Sequence, residues 1–76
     1  MKEDKIDLII RILESAKEHN IASEIKDEVE CIKLLYSKGL LKESDTSSRN
    51  INYKITNLGI EYLIKFKDVQ EIMRTK

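Results

Sequence analysis

Side chains able to carry covalent or acid–base chemistry are sparse in this sequence. It holds one histidine, His19, and one cysteine, Cys31. Nucleophilic catalysis needs a base held beside its nucleophile in a rigid frame, and a single histidine at the end of a helical stretch does not offer one. Glu14 and Glu18 stand four apart on one helix face, where such a carboxylate pair reads as solvated surface. One Cys and one His are too few for a structural zinc, and one Cys excludes an internal disulfide. Both glycines are isolated, so no glycine-rich phosphate loop is present. An enzyme is not expected, nor any cofactor or metal.

The remaining chemistry is that of cations and small hydrogen-bonding groups, which suits phosphate and base edges. In SDTSSRN, Arg49 is flanked by Ser48 and Asn50, with Ser47 beside them. Lys42 and Lys54 lie on either side of this segment, and Lys33 and Ser37 stand four apart in DEVECIKLLYSKG. Against them, Asp27, Glu28 and Glu30 crowd the start of the same segment, where they suit a helix N-terminus and would repel a phosphate backbone.

Five elements must position these residues. Residues 2–18 read as a helix with Ile6, Ile9, Ile10, Leu13 and Ala16 on one face. Leu8 and Ile12 form a second stripe, widening the apolar arc past what a surface helix needs. A short second helix is predicted over 21–27, capped by Asn20, with Ile21, Ala22 and Ile25 inward. The third helix, 28–38, aligns Val29, Ile32, Leu35 and Tyr36 and ends at Gly39 in the left-handed position. Residues 40–43 and 51–55 read as antiparallel strands joined by a polar tip, the second alternating Ile51, Tyr53 and Ile55 with Asn52 and Lys54. Thr56 caps a last helix over 57–76, whose Tyr62, Phe66, Val69 and Met73 follow a 4-3-4 spacing. The expected fold is mainly α with a two-stranded β-hairpin, residues 1–56 forming the core and 57–76 a helix of the same single domain.

Seventy-six residues make a small domain. A core of this size rarely supplies more than about 3–5 kcal/mol without a metal, a disulfide or a partner. Net charge is zero, with 14 basic and 14 acidic residues, but the charges are unevenly placed. Met1 to Cys31 carries 5 basic and 9 acidic residues, a balance of −4, and Ile32 to Lys76 carries 9 and 5, a balance of +4. Any contact with phosphate therefore falls to the C-terminal part. No apolar run approaches the ~20 residues of a transmembrane helix and no signal-peptide pattern opens the sequence, so no membrane partner is expected and a cytoplasmic location is the default.

Two segments carry a family resemblance. CIKLLYSKGLL resembles the end of a winged-helix recognition helix, with apolar Leu35 and Ile32 standing four and seven before Gly39-Leu40. YKITNLGIEYL is similar to the segment leaving the wing in small archaeal, bacterial and phage winged-helix proteins, where a strand ending in Thr is followed by a turn, a Gly and a Tyr-Leu pair. The resemblance to the winged helix-turn-helix superfamily, with an extra C-terminal helix, spans nearly the whole chain. The segment between the first helix and Gly39-Leu40 is shorter than in typical members, so its second helix and turn must be abbreviated.

The resemblance implies a small DNA-binding protein, a homodimeric transcription regulator. Lys33 and Ser37 would face the major groove of double-stranded DNA, with Lys42, Ser48, Arg49, Asn50 and Lys54 on the backbone or minor groove. Leu8, Ile12, Tyr62, Phe66, Val69 and Met73 exceed the needs of one core and are the expected homodimer interface. The alternative is a winged helix used as a protein-interaction module, such as a phage- or plasmid-encoded inhibitor of a host protein. Zero net charge, the acidic start of the third helix and an exposed Leu34 motivate it.

Overall fold

The computed structural model describes residues 4–44 and 51–74. Three helices and one hairpin follow in the order α1 (Lys5–Glu18), α2 (Lys26–Ser37), β1 (Leu41–Glu43), β2 (Tyr53–Ile55) and α3 (Asn57–Arg74). The protein is therefore mainly helical with a two-stranded antiparallel hairpin, in the register Leu41↔Ile55, Lys42↔Lys54 and Glu43↔Tyr53.

The apolar arc of α1 is used on more than one side. Ile10, Leu13 and Ala16 are buried, and Ile12 joins them at 4% exposure. α1 packs against α2, α3 and β2, so an arc wider than one stripe is what its position requires. Against α3 it runs antiparallel: the Gln70 amide donates to the Asp7 carboxylate, and Glu14, further along α1, pairs with Lys67, earlier in α3, at 2.7 Å.

The short second helix expected over 21–27 does not form. Ile21 and Tyr53 exchange backbone hydrogen bonds of 2.9 and 2.8 Å, making an isolated bridge on the edge of β2 away from β1. Asn20 does not cap a helix; its amide donates to the Ser44 hydroxyl at 2.8 Å. Ala22 and Ile25, expected inward, are exposed. A helix this short closes too few hydrogen bonds to repay its nucleation, whereas the β2 edge satisfies both backbone groups of Ile21 at once.

α2, the third helix of the sequence reading, starts two residues early, at Lys26. Ser23 organises that start: its hydroxyl accepts the Ile25 N–H at 3.1 Å and donates to Glu28 at 2.6 Å. Glu28 in turn meets Arg11 of α1 at 2.9 Å, which fixes the helix N-terminus on its neighbour. At the other end Gly39 has φ 84°. Leu40 N–H bonds the Leu35 carbonyl and Gly39 N–H the Tyr36 carbonyl, the paired bonds of a Schellman C-terminus.

Thr56 joins three elements. Its N–H closes the hairpin on the Leu40 carbonyl at 3.1 Å. Its hydroxyl donates to the Gly39 carbonyl at 2.7 Å and accepts the Gly59 N–H at 3.0 Å, capping α3. Gly59 is buried against the Leu40 carbonyl, where no side chain fits.

Candidate nucleic-acid interface and exposed apolar faces

The hairpin turns Leu41 and Ile55 into the core and Lys42 and Lys54 to solvent. The two lysines stand directly opposite each other across the ladder. Like charges so placed destabilise a hairpin, so the pair acts against the fold that carries it. It creates a compact positive face that an anion would neutralise. Ser48, Arg49 and Asn50, expected on the tip between the strands, lie outside the described residues.

On α2 the solvent face is a row of Lys26, Glu30, Lys33 and Ser37, spaced 4-3-4. Lys33 is exposed. The Ser37 hydroxyl donates its proton to the Leu34 carbonyl at 2.7 Å, leaving its oxygen free to accept. Of the three acids at the helix start, Glu28 is committed to structure. Its hydrogen bond from Ser23, and then the bond and charge of Arg11, hold its carboxyl below the ordinary value. Asp27 and Glu30 remain exposed.

Tyr36 departs from its expected inward position and is exposed beside the hairpin. Its ring meets that of Tyr53 edge to face, with centroids 5.6 Å apart. The negative charge of Glu43 raises the Tyr36 hydroxyl above its usual value, so the phenol stays protonated beside that carboxylate. This contact ties α2 to the ribbon that carries Lys42 and Lys54. The sequence signal for it was the aromatic at an α2 position just beyond the core stripe.

The six residues expected at a dimer interface separate. Ile12 belongs to the core, and Phe66 is half-buried against it. Burial of Ile12 removes it from any surface and corrects that assignment. Leu8 is half-buried in a groove between α1 and α2. Tyr62, Val69 and Met73 do stand exposed on α3, and the structure adds Leu58 and Ile72 to them. Leu58, Tyr62, Val69 and Ile72 follow the seam spacing 4-7-3, with Lys65 completing the row above the Tyr62 ring at 5.4 Å. Ile72 and Met73 are 70% and 59% exposed, an apolar end of α3.

The described residues contain no cluster of His, Cys, Asp and Glu able to hold a metal ion. None of their helices is long and apolar enough to cross a membrane. No protein-family model, curated protein or solved structure matches this chain.

Proposed function

We propose that this chain is a small DNA-binding protein of winged-helix type, acting as a homodimeric transcription regulator in the cytoplasm. The observation that carries the reading is the cross-strand pair Lys42 and Lys54 on the solvent face of the hairpin. Two lysines held against their own repulsion suit a ribbon laid along phosphates. Lys33 and Ser37 on the outward row of α2 supply groups for the groove, and Arg49, between the two strands in sequence, would add a further cation. In a helix-turn-helix the first helix crosses the DNA backbone. Here an extended connector stands in its place, so the hairpin takes a larger share of the positioning contacts. The exposed stripe of α3 supplies the two-fold contact.

Four cations per protomer, Lys33, Lys42, Arg49 and Lys54, make eight in a dimer. Released counterions then give a slope of about −7 in log K against log salt. Fluorescence titration of a labelled duplex over a salt series tests this. The double variant K42A/K54A removes four lysines from the dimer and should flatten the slope by about 4, about 1 for each lysine lost. Binding weaker than about 10⁻⁴ M at low salt, or a slope unmoved by the double variant, refutes the reading.

A second reading, a protein-interaction module, is favoured by one observation. Asp27 and Glu30 are exposed at the very end of α2 that a DNA-reading helix would bring toward phosphate. Activity that survives K33A and R49A supports it.

A further inference from the structure

Between α1 and α2 runs an open groove of about 310 Å³, lined by Leu8, Ile9, Cys31 and Leu34 with Lys5, Asp27 and Glu30 at its rim. Its floor is apolar, and Leu34 is 44% exposed within it. Neither Asp27 nor Glu30 has an ion-pair partner among the described residues, and the Arg11 guanidinium is engaged with Glu28. At the lower end of pocket sizes, roughly 300–1,000 Å³, the groove has room for a few side chains. Its walls are two helices, which gives it the form of a trough.

We infer that this groove docks an amphipathic helix of another protein, one that lays two or three apolar side chains on Leu8, Ile9 and Leu34 and sets Lys or Arg against Asp27 and Glu30. Charge complementarity selects this occupant. Both acids belong to α2, so the partner carries its cations along the flank that faces α2. An acidic helix would be repelled there, and a neutral one would leave both carboxylates unpaired at the edge of an apolar contact. Helix-in-groove recognition reads the partner as anchors at i, i+3 or i+4, and i+7. The surface is distinct from the hairpin lysines, and the inference rests on the protein-interaction reading.

Two labelled model peptides of about 14 residues, roughly 21 Å when helical, test it. Both carry one Leu stripe; one is flanked by Lys and the other by Glu. Fluorescence anisotropy with the full chain should give micromolar binding of the lysine peptide and binding at least about tenfold weaker for the glutamate peptide. L34D should abolish binding, with L34A as the milder variant should L34D lower the melting midpoint. D27K/E30K should invert the preference between the peptides. Equal binding of the two peptides, or binding unchanged by L34D and L34A, overturns the inference. A lysine peptide that survives L34D yet is lost with I72E/M73E places the partner on α3; that sinks the groove and spares the protein-interaction reading. No peptide binding at all, together with DNA binding lost in K42A/K54A, overturns both. Sedimentation in which L34D alone turns a dimer into a monomer makes the occupant a second copy and also overturns it.

Discussion

Replacing Gly59 by alanine should destabilise the protein, although alanine is the better helix former. In an open helix interior the exchange gains about 1 kcal/mol. At position 59 the new Cβ would overlap the Leu40 carbonyl oxygen and stand 2.6 Å from Cγ1 of Ile55. The Ile55 side chain is buried and has little room to yield. The Leu40 carbonyl is backbone and already accepts the Thr56 N–H at 3.1 Å, so moving it strains the bond that closes the hairpin. Overpacking of this kind costs about 1–3 kcal/mol. A disrupted hydrogen bond adds about 0.5–1.5 kcal/mol. Less the propensity gain, the net loss is about 2 kcal/mol. That is near half of what a core of this size supplies, about 3–5 kcal/mol. At about 4–8 °C per kcal/mol for a domain of this length, the melting midpoint should fall by about 8–16 °C. Circular dichroism at the helix band during a thermal scan reads this directly, and urea midpoints check it at room temperature. Gly39→Ala is the comparison. There the Cβ meets only a Leu58 methyl at 3.7 Å, so the penalty is the left-handed conformation alone, φ 84°, about 1–2 kcal/mol. A G59A protein as stable as wild type would refute the close approach of α3 to the hairpin.

Four further outcomes follow from the same geometry. Lys54→Thr removes a like-charge cross-strand neighbour of Lys42 and should raise the melting midpoint slightly while weakening duplex binding, read by a thermal scan and a titration on one sample. Glu28 holds its carboxyl below the ordinary 4.5, so its contribution to stability is complete above that value and is lost as pH falls through the lowered one. Melting midpoints measured down the acid limb should therefore fall less steeply in E28Q than in wild type, and an identical acid limb would contradict the Ser23–Glu28–Arg11 arrangement. Ile72→Glu should leave the fold intact and convert the proposed dimer to monomer in sedimentation velocity. Ile12→Ala should instead unfold much of the protein, because a core truncation costs about 2–5 kcal/mol.

What was legible in the sequence was chemistry that acts within a few residues. Gly39 announces the end of α2 because only a left-handed residue completes the two C-terminal bonds, and Thr56 announces α3 because its hydroxyl reaches the Gly59 N–H. The face of α1 was readable for the same reason, since 3.6-residue periodicity is local. The misreadings all came from distant partners. Asn20 looks like a cap until Ser44, 24 residues away, takes its amide. Ile21 looks like one face of a short helix until Tyr53 offers both backbone groups a partner. Ile12 looks surplus until α2 arrives beside α1. Leu58 and Ile72 were passed over on α3 because neither belongs to the 4-3-4 row of Tyr62, Phe66, Val69 and Met73. Only the burial of Phe66 shows that the open face is centred on the other side of that row.

The connections around Thr56 also decide which parts of the protein move together. Gly39 and Leu40, at the exit of α2, each give their carbonyl to Thr56, one to the hydroxyl and one to the N–H. Gly59 then packs against that same Leu40 carbonyl. The base of the hairpin is thus held from the side of α3 as well as by its own ladder of three residue pairs. Lys42 and Lys54 each sit two residues from this junction, too close for either strand to pivot independently of α3. In a dimer joined through the α3 stripe, the separation of the two lysine pairs is consequently set by the helix contact and not by the tips of the hairpins. Changes along Tyr62, Val69 and Ile72 should then alter which half-site spacing is preferred, while changes at the tip alter affinity at every spacing alike. A duplex series stepped by one base pair between half-sites distinguishes these two effects. A spacing optimum that follows tip variants, and ignores α3 variants, would break the link between the Thr56 junction and DNA geometry.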